Sequence, residues 1–261
     1  MIDTHTHIND PRLVEEVDDI VSSMNSNNLS HLIAIGCDRA TSKECFDLSQ
    51  KYPNVYSSVG IHPHDAEKAT IDDYRYFEEL SKNKKMVALG EIGLDFYYDL
   101  SPRDVQEKVF LEQLDLAHSL KIPTVIHLRD AYGLMLKLLK ENKSKLEYGV
   151  VLHCYSGSLE MLNEFLKLDL MVAFGGSITF KNAVDKPKIV ASTPNDRFFV
   201  ETDCPYLTPV PFRGKTNYPK YVGKVVEKIA EYKNTTYEEI DQITTNNALR
   251  FFNKMNPKGA L

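Results

Sequence analysis

The chain has 261 residues, 43% of them hydrophobic, and this size suits one α/β barrel domain around a single core. No apolar run approaches the length of a membrane span, and the first residues lack the basic and apolar regions of a secretory signal, so we expect a cytoplasmic protein without membrane contact. The net charge of −6 argues against broad electrostatic capture of nucleic acid, although it leaves room for local contacts to a few phosphates.

Eight short β-branched or apolar runs predict eight strands along the chain. In order, they cover residues 1–6, 31–36, 55–61, 86–92, 123–128, 150–154, 170–174 and 198–202. Amphipathic stretches between them predict helices, among them 11–24, 105–120 and 132–146, and a last helix at 237–253 is expected to cap or extend the outer ring. Because strand and helix alternate throughout, and because no G-x-G-x-x-G or P-loop motif is present, the pattern favours a single-domain α/β fold, the (β/α)8 TIM barrel, over residues 1–261.

The cysteines are scattered along the chain. They are Cys37, Cys45, Cys154 and Cys204, and no two of them form a C-x-x-C pair. This spacing is typical of reduced thiols in a reducing compartment. We therefore do not expect the cysteines to bind metal.

Histidines and carboxylates stand at or near the carboxyl ends of the predicted strands. They are His5, His7, His62, Glu91, His127, His153 and Asp203. In a closed parallel barrel these ends meet at one mouth, where active sites lie, so residues far apart in sequence are expected to face one another. The H-x-H pair at 5–7 is weak support by itself, because eight histidines in a chain of this length often produce such a pair by chance.

These residue types indicate a metal site. Imidazoles combined with carboxylates suit zinc, manganese or iron, whereas magnesium prefers a site richer in oxygen. Six ligands are too many for one catalytic ion that keeps a position open for water, so we expect two divalent ions that share Glu91 as a bridge. The other ligands divide into His5, His7 and Asp203 on the first ion and His127 and His153 on the second. A buried salt bridge to Arg or Lys is the alternative explanation for Glu91.

Several polar neighbours have expected roles of their own. Glu201 shares a strand face with Asp203, and we expect it to orient a metal-binding imidazole. Asp203 is a metal ligand or, alternatively, a general base for the attacking water. Of the remaining histidines, His64 is expected in a loop, whereas His31 and His118 have structural positions.

Arg129 is a candidate substrate contact, because period two puts it on the same strand face as His127. Its planar guanidinium either holds a phosphate oxygen or pairs with Asp130 or Glu91. The sequence does not distinguish these alternatives.

Two loops and several aromatic residues are further candidates for substrate binding. The turns at 175–177 and 213–215 follow the seventh and eighth strands, where barrels commonly bind phosphate, and Arg213 would supply a positive charge there. Ordinary glycine turns with a solvated Lys215 explain the same residues equally well. Tyr206 and the aromatic residues at 96–98 either stack on unpaired bases or pack at the rim.

Seven segments carry a family resemblance: MIDTHTH, VGIHPHDA, LGEIGLDF, VIHLRDAY, LHCYSGS, ETDCPYL and PFRGK. Together, and in this order from residue 1 to about residue 253, they resemble the TatD family of metal-dependent deoxyribonucleases among the amidohydrolase-like metal hydrolases. The resemblance implies a (β/α)8 barrel with a divalent-metal site that hydrolyses phosphodiesters, often from the 3′ end of single-stranded DNA. It implies the same six ligands, adds His62 as a substrate contact, and suggests activation by magnesium.

The chain departs from the family pattern at two places. Family members often read RGKRNEP where residues 213–219 read RGKTNYP, so one basic and one acidic residue are missing. This difference weakens the expectation of phosphate binding by that loop. Cys204 stands where alanine is more usual, and the two side chains are similar in size.

The expected function is a two-metal phosphodiester hydrolase that cleaves single-stranded DNA ends through a metal-activated water, with Glu91 and Asp203 as catalytic residues. We expect neither a protein nucleophile nor an obligatory protein partner. A small-molecule amidohydrolase or lactonase is the first alternative, although many such enzymes bridge their ions with a carboxylated lysine where this chain offers Glu91. A barrel that has lost catalysis and serves as a scaffold is the second alternative.

Overall fold

The computed structural model describes residues 1–255, in which eight parallel strands pair in sequential order. The strands are β1 (Ile2–Thr6), β2 (His31–Ile35), β3 (Val55–Val59), β4 (Met86–Asp95), β5 (Thr124–Arg129), β6 (Val150–Leu152), β7 (Met171–Phe174) and β8 (Phe198–Val200). The predicted (β/α)8 barrel is therefore confirmed. The single domain expected over residues 1–261 stays a prediction, and its residues 256–261 lie outside the described part.

Helices follow the strands and cover the outside of the sheet. Within residues 1–255 they are α1 (Val17–Ser22), α2 (Arg39–Lys51), α3 (Ile71–Ser81), α4 (Arg103–Leu120), α5 (Tyr132–Glu141), α6 (Leu159–Leu166), α7 (Lys186–Ser192), α8 (Val222–Lys233) and α9 (Tyr237–Phe251). In α4, residues buried at three- and four-residue spacing form one face against the sheet: Gln106, Val109, Phe110, Gln113, Leu114 and Ala117. Across the described residues, no helix has the length and apolar character that crossing a bilayer requires.

Two predicted helices are shorter in the structure. The helix expected over 132–146 ends at Glu141, because the side chain of Asn142 donates a 2.9 Å hydrogen bond to the Leu138 carbonyl and caps the last turn; a separate 3-10 turn, Lys143–Leu146, follows. The stretch 11–24 forms a 3-10 turn at Val14–Glu16 and the short helix α1. Apolar periodicity continues across both breaks, so the sequence alone did not reveal them.

Strand β4 continues to Asp95 instead of ending at residue 92. Gly93 makes this possible, because a Cβ atom there would lie 2.0 Å from the carbonyl oxygen of His127 on β5. The two strands stay paired to their ends, where Asp95 lies opposite Arg129. The extra length brings Asp95 to the mouth of the barrel.

The barrel closes between β8 and β1 through the segment that follows β8. The amide of Asp203 donates to the carbonyl of His5 at 3.0 Å, and the amide of His7 donates to the carbonyl of Cys204 at 2.8 Å. These backbone bonds hold Asp203 beside the two histidines of β1.

The other end of the barrel is covered by the C-terminal part of the described chain. Ala248, Phe252 and Met255 join one buried cluster with inward-facing strand residues such as Val87 and Phe199. The Lys254 ammonium donates to the carbonyl of Met86, the first residue of β4. The predicted last helix therefore caps the amino ends of the strands, opposite the mouth that carries the histidines.

Candidate metal centre

The first ligand group consists of His5, His7 and Asp203. Nε2 of His5 lies 3.3 Å from Nε2 of His7 and 3.6 Å from Oδ1 of Asp203, and the same oxygen lies 3.4 Å from Nε2 of His7. Oε2 of Glu91 approaches the group at 3.3 Å from His5 Nε2 and 3.8 Å from His7 Nε2. Two ligands bonded to one ion at about 2.1 Å stand about 3.0 to 3.6 Å apart at angles of 90 to 120°, so the atoms of His5, His7 and Asp203 fit the shell of a single ion.

The second ligand group consists of His127 and His153. Nδ1 of His127 and Nε2 of His153 lie 3.2 Å apart, and each contacts Oε1 of Glu91, at 2.8 and 2.7 Å. Nε2 of His62 lies 3.7 Å from the same oxygen. The two carboxylate oxygens of Glu91 thus face different sets of imidazoles.

Glu91 is 3% exposed and is surrounded by histidines. Every ion pair of Glu91 within residues 1–255 is with an imidazole, so the alternative of a salt bridge to Arg or Lys does not apply there. Burial alone would raise the pKa of the Glu91 carboxyl, but the charges of His153, His5 and His62 together hold it well below the usual value. A buried carboxylate kept ionised among imidazoles is suited to bind a cation.

Neighbouring groups lie at the outer nitrogens of His7 and His153. Nδ1 of His7 lies 3.2 Å from the carbonyl oxygen of Ile35, which leaves Nε2 free. Nδ1 of His153 lies 3.5 Å from Oε1 of Glu201, a charge contact rather than a hydrogen bond, and the same oxygen accepts a bond from the Cys154 amide. The structure thus brings Glu201 to the outer nitrogen of an imidazole, as its expected orienting role requires.

Asp95 is a residue that the sequence analysis missed. Its Oδ2 atom lies 2.9 Å from Nε2 of His127 and 3.1 Å from Nε2 of His64. The signal was present, since Glu91 and Asp95 share a face by period two if the strand runs through Gly93. His64 contacts this carboxylate and lines the cavity described below.

Cys37 also lies at the cluster, and the expectation that the cysteines do not bind metal stays a prediction. Its Sγ atom is 3.9 Å from Nδ1 of His7 and 4.0 Å from Oε2 of Glu91, so ligand-type atoms of the three side chains gather within 4.8 Å of one another. All four cysteines are free thiols. The other two histidines lie elsewhere, His31 against Tyr56 and His118 against Tyr148.

The cluster opens into a cavity of about 850 Å³ at the carboxyl ends of the strands. Three of the four predicted substrate contacts line it: His62, Arg129 and Tyr206. Arg129 makes no ion pair with Asp130 or Glu91; its guanidinium stacks 3.8 Å from the ring centre of Tyr97 and 4.9 Å from that of Tyr98.

Tyr206 belongs to a group of side chains on the β8 side of the mouth. Its ring is 47% exposed, its hydroxyl donates to Oδ2 of Asp10 at 3.3 Å, and the Arg12 guanidinium lies 4.5 Å from the ring centre. Two 2.8 Å bonds join Arg12 to Asp10 and lower the pKa of Asp10 to about 2. Asp10 and Arg12 lie in the loop after β1, and no sequence motif singled them out.

Arg213 is the fourth predicted substrate contact, and its substrate-binding role stays a prediction. Its side chain is exposed, and its guanidinium packs 3.8 Å from the ring centre of Phe180, a cation–π contact. Arg213 is absent from the cavity lining in the described residues.

Comparison with known proteins identifies the family. The sequence model described as "TatD related DNase" matches residues 2–253. The chain belongs to this family. The Bacillus subtilis protein YabD, described as an uncharacterized metal-dependent hydrolase, is 41% identical over 252 residues, which cover 97% of this chain and 98% of YabD.

One further relative and one solved structure extend the comparison. A Citrobacter rodentium protein described as "3'-5' ssDNA/RNA exonuclease TatD" is 29% identical, with 97% of both chains covered. The crystal structure of YJJV, a TatD homolog from Escherichia coli K12, superposes with a TM-score of 0.91 at 27% identity and covers 97% of this chain and 98% of its own. The protein is therefore a TatD-family metal-dependent hydrolase with clusters of His, Glu and Asp able to bind metal.

Proposed function

We propose that this TatD-family hydrolase is a two-metal phosphodiesterase that acts on the ends of single-stranded DNA. One observation carries the proposal: Oε2 of the buried Glu91 faces His5, whereas Oε1 faces His127 and His153. A carboxylate shared in this way suits two ions about 3.5 to 4 Å apart, the spacing found in two-metal phosphodiester hydrolases. Magnesium, manganese and zinc are the candidate ions.

Each ligand group would hold one ion, with Glu91 between them. When bound, the two ions supply an activated water and neutralise charge on the phosphate oxygens. Burial would raise the pKa of Asp203, but its hydrogen bond to His7 and the charges of His153 and His5 lower it below the usual value. The ionised carboxylate can bind the first ion or take a proton from the attacking water.

The substrate would lie in the cavity between two aromatic edges. Tyr98 follows β4 and Arg129 ends β5, and together they form one edge. Tyr206 follows β8, which lies opposite β4 in an eight-stranded barrel, and forms the other edge. The guanidinium fork of Arg129 suits a phosphate, and exposed tyrosine rings accept unpaired bases. His62, 3.7 Å from Oε1 of Glu91, is positioned to contact the phosphate being cleaved. Bases within a duplex are not available for such stacking, which favours single strands and ends.

The description of the Citrobacter rodentium relative as a 3'-5' ssDNA/RNA exonuclease supports a nucleic-acid substrate for this chain. We also infer a cytoplasmic enzyme that works without an obligatory protein partner. The free state of all four cysteines is typical of a reducing compartment and supports this location.

The proposal is tested by comparing two substrate classes with magnesium, manganese and zinc supplied separately. Single-stranded oligonucleotides labelled at the 3′ or the 5′ end represent the first class, and a panel of lactones and cyclic amides represents the second. We expect metal-dependent release of nucleotides from the single strands and little release from blunt duplexes. Hydrolysis confined to the lactones or cyclic amides would reject the nuclease and favour a small-molecule amidohydrolase.

A further inference from the structure

The Asp95 carboxylate connects the second ligand group to the aromatic rim. Oδ2 lies 2.9 Å from Nε2 of His127 and 3.1 Å from Nε2 of His64. Oδ1 accepts hydrogen bonds from the backbone amides of Tyr97, at 3.0 Å, and Tyr98, at 2.8 Å. One side chain therefore contacts a proposed metal ligand with one oxygen and the turn that carries two rim tyrosines with the other.

Asp95 is itself held firmly, which makes it suitable to position other groups. The residue is fully buried, its amide donates to Oε1 of Gln106 at 2.9 Å, and Nε2 of Gln106 donates to the carbonyls of Asp95 and Ser101. Gln106 lies on the buried face of α4. The carboxylate is thus fixed by a helix that packs on the sheet rather than by the loop it organises.

The contact to His127 decides which of its nitrogens faces Glu91. A carboxylate accepts but does not donate, so the ring proton of neutral His127 is drawn to Nε2. Nδ1, 2.8 Å from Oε1 of Glu91, then keeps its lone pair for a cation. Imidazoles oriented by a second carboxylate in this way are better metal ligands.

The contacts to the two amides decide where the tyrosines stand. Tyr97 and Tyr98 are 58% and 54% exposed, and apart from each other their rings pack mainly on Arg129 and, for Tyr98, on His64. With so little burial, the side chains themselves do little to fix the turn. The two hydrogen bonds from its backbone amides to Asp95 therefore restrain the turn.

We propose that Asp95 is a positioning residue that acts on both parts of the site, keeping Nδ1 of His127 available to metal and the Tyr97–Tyr98 turn in place for the nucleic acid. The second effect rests on the proposed function, whereas the first needs only metal binding. A purely structural carboxylate would affect folding stability without separating the two effects.

Two substitutions separate them. In Asp95→Asn, the side-chain oxygen can still accept hydrogen bonds from the two backbone amides, because these amides can only donate. The new amide group then meets His127 and forces its proton onto Nδ1, the nitrogen that faces Glu91. In Asp95→Ala, both sets of bonds are lost. Asp99→Asn is the matched control, because Asp99 lies in the same loop and pairs only with the exposed Arg103 among the described residues.

Three measurements without catalysis give the outcome. Manganese affinity is followed by electron paramagnetic resonance, the His127 tautomer by 15N NMR, and the turn by amide hydrogen exchange at residues 97 and 98. We expect Asp95→Asn to lose about 10- to 100-fold in manganese affinity and to move the proton of His127, with exchange unchanged. Asp95→Ala is expected to lose the same affinity and also to exchange faster at both amides, and Asp99→Asn to behave as the wild type.

Wild-type manganese affinity in Asp95→Asn, or unchanged exchange in Asp95→Ala, would overturn the proposal. If Asp95→Ala does not fold, the His127 tautomer and the manganese affinity of Asp95→Asn test the effect on metal binding. The effect on the turn is then tested by Gln106→Leu, which removes the hydrogen bonds that hold Asp95 and should make amide exchange at residues 97 and 98 faster. Metal-dependent cleavage of a fluorescent single-stranded oligonucleotide by the wild type is measured alongside. Absence of cleavage with each candidate metal would reject the nuclease proposal but leave the metal result intact.

Discussion

Nε2 of His153 lies 2.7 Å from Oε1 of Glu91. The imidazole follows β6 and the carboxylate lies on β4, so the contact exists only because the barrel brings the two strand ends to one mouth. Oε2 of the same carboxylate lies 3.3 Å from His5 Nε2, and a single side chain thereby joins both ligand groups. Loss of Glu91 is expected to affect both groups, whereas loss of a residue behind one imidazole is expected to affect one.

Glu201→Gln tests the group behind His153. Oε1 of Glu201 is the charged neighbour of Nδ1 of His153, at 3.5 Å, and a neutral amide oxygen would attract its proton less strongly than the carboxylate does. We expect a 10- to 100-fold loss of affinity at one of two manganese sites, with the other little changed. Titration calorimetry resolves the two sites. Equal loss at both sites, or at neither, would contradict the assignment; Glu160→Gln, on the surface of α6, is the control.

Metal affinity should rise with pH. Burial alone would lower the pKa of His153, but Glu91 and Glu201 together raise it well above the usual value, and hydrogen bonds to Asp95 and Glu91 likewise raise that of His127. In the metal-free protein these charge pairs stabilise the fold fully below the ordinary histidine pKa of about 6.5, and their contribution is lost as pH rises through the raised values.

A metal must displace those protons, so its apparent affinity is expected to increase about tenfold per pH unit for each proton released. Calorimetry in buffers of different ionisation enthalpy counts the protons. Binding that is independent of pH from about 6 to 8 and releases no protons would contradict the displacement of imidazole protons by the metal.

Arg129 and Arg213 form a matched pair of substitutions. Arg129 lines the cavity and stacks on Tyr97, whereas Arg213 packs on Phe180 away from it. We expect Arg129→Ala to weaken binding of a single-stranded oligonucleotide about 10-fold, as for loss of one charge-assisted phosphate contact, and Arg213→Ala to leave it unchanged. Fluorescence anisotropy gives both values. Weaker binding by Arg213→Ala than by Arg129→Ala would instead assign the phosphate contact to the loop after β8.

Cys37 predicts sensitivity to thiol reagents. A group added to Sγ would enter the space between His7 and Glu91, from which the thiol is 3.9 and 4.0 Å. Burial raises the pKa of the Cys37 thiol, so modification should be slow at neutral pH and faster in alkali. We expect modification at Cys37, located by peptide mass spectrometry, to block manganese binding, and bound manganese to protect the thiol. Cys37→Ser should bind manganese and resist the reagent; unchanged affinity after complete modification of Cys37 would contradict the prediction.

The barrel was predictable from the sequence because its signals are local. Alternating strand and helix patterns identified all eight strands. The predicted helix bounds were wrong where the apolar periodicity continued past the end of a helix, as at Asn142. The expectation that Glu91 and His127 lie at the mouth then followed from the geometry of any parallel barrel. What these residues share is a place set by strand pairing alone.

Residues whose place depends on loop conformation were not predictable. Asp95 was missed because the predicted strand ended at residue 92, whereas the strand continues through Gly93, where close approach to β5 requires a glycine. Cys37 reaches the cluster from the turn after β2, and Arg213 turns toward Phe180, through contacts that no short motif records. The sequence resemblance to a family marks such segments without fixing where their side chains lie.

The most direct test of the central claim is metal content and DNA cleavage measured together on the wild type and Glu91→Gln. Purified protein is loaded with manganese, its metal is counted by mass spectrometry, and it is given 3′-labelled single-stranded DNA. We expect two ions per wild-type chain with release of 3′-terminal nucleotides, and at most one ion per variant chain with cleavage at least about 10³-fold slower. Two ions and undiminished cleavage in Glu91→Gln would contradict the central claim.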